Sequence, residues 1–412
     1  MKVGILMKKK KAWKIWKSLC LFFNDWLNLF RLIVVFIALA ILIHFSRFDA
    51  DFTWLDLFDI PLFVSILFLI IAEGAFKVIK NITEDLAKVS EDFVSISNKY
   101  ESEPLVKYND NKIPIVEILK KEDFNKDFSL TFNPDAYVLP DLCMTYLEQL
   151  INAHGKSKTY NQDLIRVDNI TSSNDKINIT YSKTTFFNSL LTNRSQDVTL
   201  PNNLSLRRFY EPGPFLSPLN NSQYSNHLGV NIIVITDDHK VIFVKRSKDI
   251  SIGKRKLGIS VGASIKPKYF ENHFSQIGIS DIENSIKKEI QDELGVTPDE
   301  HFKSFSLKNN AVSLFSELFE GGKPQLLMTL KSPLTFKEHN HFFQEHLSKE
   351  KSEKMIVDGK ELIGISDIEL KEQLDNGEIF KSTLLKIDSK YFEISPAHLA
   401  VLALYFNINK EL

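Results

Sequence analysis

Asp281-Ile282-Glu283-Asn284-Ser285-Ile286-Lys287-Lys288-Glu289-Ile290-Gln291-Asp292-Glu293-Leu294-Gly295-Val296 is the stretch on which the fold turns. Ile282, Ile286, Ile290 and Leu294 recur every four residues, a spacing that lines one face of an α-helix with apolar side chains. Gly295 stands where a left-handed C-cap would stop that helix. On another face Glu289 precedes Asp292 by three residues and Glu293 by four, so three carboxylates converge within one turn. Carboxylates so close repel unless cations neutralise them, and a hard ion such as Mg2+ binds oxygen clusters of this kind and bridges them to phosphate. A merely solvated acidic face is the competing reading.

Working outward, Gly229–Ile235 reads as a strand that passes through the polar residues Thr236-Asp237-Asp238-His239 into Val241–Val244, a hairpin. Ile177–Tyr181 also has strand texture, and Pro140–Ala153 reads as one helix ended by His154-Gly155. Ser395-Pro396 opens a C-terminal helix through Leu399, Leu402 and Phe406, with His398 in its first turn as a structural rather than catalytic residue. No repeat, low-complexity tract or Cys/His zinc pattern is present.

The run Lys288, Glu289, Ile290, Asp292, Glu293, Gly295, Val296 resembles the second half of a Nudix box, and Leu257-Gly258-Ile259-Ser260-Val261-Gly262-Ala263 resembles the strand and glycine turn that precede it. The resemblance implies a mixed sheet sandwiched between helices, with Glu289, Asp292 and Glu293 as Mg2+ ligands and catalytic carboxylates for attack of water on a diphosphate. Four departures stand out. The family's Arg is Lys288, which lacks a bidentate fork; one Glu is the shorter Asp292; and the spacer after Gly262 is expanded by Lys266-Pro267-Lys268-Tyr269-Phe270 and the residues beyond them. The position eight before Lys288 is Ser280, leaving Asp281 or Glu283 as substitutes for the missing Glu. Both an active phosphohydrolase and a Nudix fold kept for ligand binding remain open, the latter favoured.

A broader resemblance covers Thr184-Thr185-Phe186-Phe187, Leu191-Thr192-Asn193, Leu206-Arg207-Arg208-Phe209-Tyr210-Glu211 and Ser222–Gly229, which look like the extension preceding the box in SMODS-associated NUDIX domains. Such domains occur with two-helix membrane modules in bacterial cyclic-oligonucleotide (CBASS) antiphage systems. The resemblance implies a cyclic nucleotide made by a CD-NTase, its sensing by the NUDIX domain, homo-oligomerisation, disruption of the inner membrane and abortive infection, without direct DNA or RNA binding. A sensor of this kind needs cations for phosphates and flat groups for bases. Arg207, Arg208 and Tyr210, then Lys245 and Arg246 at the hairpin end, then Arg255 in a basic turn opposite Gly262, form the expected ligand-binding set.

The chain has 412 residues, enough for several units with a sizeable core, and its 51 Lys and Arg nearly balance its 52 Asp and Glu. The charge is unevenly spread. Lys2, Lys8, Lys9, Lys10, Lys11, Lys14 and Lys17 face the single acid Asp25, making residues 1–28 a basic amphipathic arm. Residues 29–45 and 60–79 are apolar enough to read as two transmembrane helices, joined by a periplasmic connector at 46–59. Arg31 is expected to snorkel to the interface, and Glu73 to meet headgroups or a polar interior. The expected architecture is α/β: two N-terminal spans, a cytoplasmic stalk and connecting region at 80–165, and an extended Nudix-like α/β/α sensor at 166–412. Lysines before the first span and aspartates between the two place both chain ends in the cytoplasm of a multi-pass inner-membrane protein. Cys20 and Cys143 give no disulfide framework, which suits a reducing compartment. The alternative is a membrane-anchored, Mg2+-dependent Nudix hydrolase of a nucleoside diphosphate derivative.

Overall fold

A computed structural model describes residues 89–154, 160–247, 253–302, 304–352 and 359–409. Among the described residues no helix is long and apolar enough to cross a membrane, which corrects the expectation of a multi-pass inner-membrane protein built on two spans. The basic arm 1–28, the segments 29–45 and 60–79, their connector, and with them Arg31 and Glu73, lie outside the described residues. What is described is α/β with mixed sheets, as expected for the remainder of the chain.

The main sheet is built around Gly229–Ile235, an unbroken apolar run buried along its whole length. A strand covered on both faces needs such a run. Lys323–Lys331 lies parallel to it on one side, followed outward by the antiparallel strands Ala311–Glu317 and Ile115–Lys120. On the other side come Lys240–Arg246 and then Gly359–Ser366.

The expected hairpin splays. Gly229–Ile235 and Lys240–Arg246 pair only at Ile235 and Val241, and the next segment enters the gap. Leu257–Ile259 pairs with the second strand and Val261–Ser264 with the first. Ser260 bridges the change of partner: its Oγ accepts from Val234 N (2.8 Å) and donates to Ile242 O (2.7 Å). A fully buried backbone N–H in the opened ladder is thereby satisfied.

Helix Ile279–Leu294 forms as its four-residue period requires, and Gly295 ends it at φ 72°. Its Ile282, Ile286, Ile290 and Leu294 share one core with Val230, Ile232 and Val234 of the central strand and with Phe343 and Leu347 of helix Phe336–Ser352. Since strand side chains alternate, Asn231 points to the other face of the sheet. Helix Pro396–Ile408 is apolar almost all round and correspondingly buried.

A second, three-stranded sheet sets Asp127–Phe132 parallel to Lys176–Thr185, which pairs antiparallel with Asp163–Ser172. The helix expected at 140–153 divides into Asp141–Thr145 and Leu147–His154. The break is at Tyr146, whose ring packs into a smaller core with Leu150 and Leu206. Residues 384–392 group with a separate compact unit, and Leu384–Ile387 forms a hairpin there with the strand beginning at Lys390.

Candidate functional site

The acidic face of helix Ile279–Leu294 is covered by the segment that expands the spacer. Ile265 is fully buried and anchors it. Lys266 N then donates to Ser285 Oγ (2.9 Å), Lys266 Nζ pairs with Glu289, and Tyr269 OH donates to Asp292 Oδ2 (2.7 Å). Positions 285, 289 and 292 follow one another along a single helix face, so the segment is stitched to that face turn by turn. Lys266 Nζ is 2.7 Å from each oxygen of Glu289, whose side chain is 3% exposed. Burial pushes the Glu289 carboxyl up and Lys266 opposes the shift; burial lowers Lys266, but Glu289 more than restores it.

These contacts decide how well the acidic trio suits Mg2+. A divalent ion needs deprotonated oxygens with open lone pairs. Glu289 already pairs with an ammonium, Asp292 accepts a hydrogen bond from the Tyr269 hydroxyl, and among the described residues no group of three or more His, Cys, Asp or Glu side chains is placed to hold a metal ion. The trio does not fit the ion. The two substitutes for the missing Glu are also engaged: Asp281 accepts from Glu271 N, Asn272 and Gly278 N, and Glu283 accepts from Leu307 N at 2.7 Å. Lys288 is exposed and reaches Gln291 instead of a carboxylate.

A cavity of about 80 Å³ lies beside the glycine turn, lined by Arg194, Arg246, Asn231, Gly262, Glu317, Glu320, Lys323 and His398 among others. Glu293 joins Arg246, Gly258, Gly262 and His398 around a smaller recess next to it, so the helix end and the cavity meet at Gly262. Gly258 and Gly262 leave room for these side chains: a Cβ on Gly262 would stand 3.3 Å from His398 Nε2, and one on Gly258 3.3 Å from Arg246 Cδ.

Three basic side chains, Arg194, Arg246 and Lys323, line the cavity together with Glu317 and Glu320. Burial and the charge of Glu320 raise the Glu317 carboxyl to about 8, whereas Lys323 and Arg194 overcome burial to hold Glu320 at about 2. Lys323 and Arg194 approach Glu320 at 2.9 and 3.7 Å, and burial lowers the Lys323 ammonium; Glu91, also at the cavity, is bonded to Lys256. Burial, reinforced by Arg246, lowers His398 to about 3, so its imidazole is neutral, and it hydrogen-bonds the Leu257 backbone.

The expected ligand-binding set divides accordingly. Arg246 and Gly262 are brought together at the cavity. Arg207 is 2% exposed and structural: it pairs with Asp197 and donates to Leu318 O and Phe319 O. Arg208 donates to Asn203 O, and Tyr210 packs with Tyr224. Lys245 pairs with Glu361 across neighbouring strands, and Arg255 is exposed in its turn. Arg194, Glu317, Glu320 and Lys323 carry no local motif. The only hint is Gly321-Gly322, a hairpin turn at φ 68° and 83° between strands ending in charge.

No family model and no curated protein matches the chain. Among solved structures it is similar to a Deinococcus radiodurans protein at 15% identity, over 42% of this chain and 80% of that one, with a TM-score of 0.23. It is also similar to a MutT protein from Methanosarcina mazei at 11% identity, over 45% of this chain and 93% of that one, again with a TM-score of 0.23.

Proposed function

We propose that this chain is a non-hydrolytic receptor for a cyclic oligonucleotide of the kind a CD-NTase makes, taking one ligand phosphate at the cavity beside Gly262. The observation that carries the reading is the convergence of Arg194, Arg246 and Lys323 on a cavity in which burial and Glu320 push the Glu317 carboxyl up. At about 80 Å³ the space suits one phosphoryl-sized group; sites that enclose whole small molecules run to roughly 300–1,000 Å³, so sugars and bases would rest outside it. Arginine and lysine supply charge-assisted donors to phosphate oxygens, and neutral His398 offers a further polar contact.

Calorimetric titration of the full chain with cyclic di- and trinucleotides in the presence of a chelator tests this. Binding by at least one member of the panel is expected, weakened about tenfold to a hundredfold in Arg246→Ala, the value of a hydrogen bond to a charged group. Absence of binding across the panel, or equal affinity in the variant, removes the proposal. Turnover of a nucleoside diphosphate derivative with Mg2+ would favour the hydrolase alternative.

A further inference from the structure

We infer that Lys266 is a built-in replacement for the metal ion: its ammonium pairs with the Glu289 carboxylate of helix Ile279–Leu294 from within the chain and thereby bars a divalent cation from the acidic face. The inference deepens the metal-free reading proposed above and rests on it. Four observations support it. The ammonium sits 2.7 Å from both Glu289 oxygens, the bridging place a cation would take. Its backbone is fixed by the Ser285 hydroxyl at 2.9 Å, so the position of the charge is set by the fold rather than by a mobile surface side chain. Tyr269, at the end of the short helical turn Pro267–Tyr269, closes the adjoining carboxylate, Asp292. Glu293 adds its field to the same ammonium. A tethered ammonium occupies Glu289 at every Mg2+ concentration.

Removing the ammonium should leave a vacancy of the right charge for a divalent ion. Mn2+ serves as the probe, followed by its paramagnetic resonance signal with the full-length chain in wild type, Lys266→Met, Glu289→Gln and Lys266→Met/Glu289→Gln. Wild type is expected to show no tight Mn2+ site, and Lys266→Met to bind one Mn2+ at least about tenfold more tightly, as expected for freed carboxylate ligands; the double variant should lose it. A wild-type Mn2+ site that Glu289→Gln abolishes overturns the inference, as does a folded Lys266→Met with no gain. Should Lys266→Met fold only when Mn2+ is supplied, the ion has taken the place of the ammonium and the inference stands; failure to recover with Mn2+ overturns it. Nucleotide binding is not read in this assay, so failure of the receptor proposal shows separately.

Discussion

Lys266 Nζ and the Glu289 carboxylate form a symmetric pair, 2.7 Å to either oxygen, on a helix face that otherwise reads as a metal site. Removing one member of a buried pair costs about 3–5 kcal/mol because the survivor stays desolvated, whereas replacing both by apolar groups is often near neutral. Lys266 is still partly exposed, so the lower end of that range applies. Chemical denaturation should therefore find Glu289→Leu strongly destabilised and Lys266→Met/Glu289→Leu much less so. Additive losses would mean that the two residues do not act as a pair.

Arg207 and Arg246 are equal candidates for ligand binding by sequence, but their surroundings separate them. Arg207→Ala should lower stability by about 3–5 kcal/mol, since it strips Asp197 and two backbone carbonyls of their partner. Arg246→Ala, at the cavity, should leave the melting temperature nearly unchanged. A melting shift in the opposite order would show that the roles are reversed.

Ser260 holds the splayed strands together through two bonds, to Val234 N and Ile242 O. Ser260→Ala leaves a buried N–H unsatisfied and is expected to cost about 1–3 kcal/mol. Amide hydrogen exchange at Val234 should accelerate in the variant. Unaltered exchange there would count against the bridging role.

Glu317 gives stability a particular pH slope. Burial and Glu320 raise its carboxyl from 4.5 to about 8, so between those values it is protonated in the fold and ionised in the unfolded chain. The unfolded chain then binds fewer protons, and stability falls as pH rises through that window. His227, His339 and His398 are depressed below 6.5 by burial, and their contributions are lost as pH falls beneath that value. The interval from pH 6.5 to 8 isolates Glu317 from them, with an expected loss on the order of 1–2 kcal/mol at about 1.4 kcal/mol per pH unit. Denaturant midpoints should show this decline in wild type and a flatter profile in Glu317→Gln; identical profiles would exclude Glu317 as its source.

Local periodicity makes much of this fold legible. The helix Ile279–Leu294, its glycine cap and the apolar strand Gly229–Ile235 depend on neighbours within a few positions, and all appear. The insert Lys266–Phe270 is legible only as a fault in spacing, because its partners Ser285, Glu289 and Asp292 lie roughly twenty residues away and only the folded chain aligns them. Clustering along the chain also misplaces part of the basic site. Arg207 and Arg208 are adjacent yet point to different backbone carbonyls, while Arg194, Arg246 and Lys323 are scattered and converge. The inner-membrane assignment rests on hydropathy and flanking charge alone and is corrected by the absence of a long apolar helix among the described residues.

Titration of the full chain with the best-bound cyclic nucleotide, in chelator and again in millimolar Mg2+, with chromatographic recovery of the ligand afterwards, bears most directly on metal-free recognition at Gly262. The predicted result is one affinity in both buffers and a ligand recovered intact. Binding that needs Mg2+, or recovery of an opened, linear product, would contradict it.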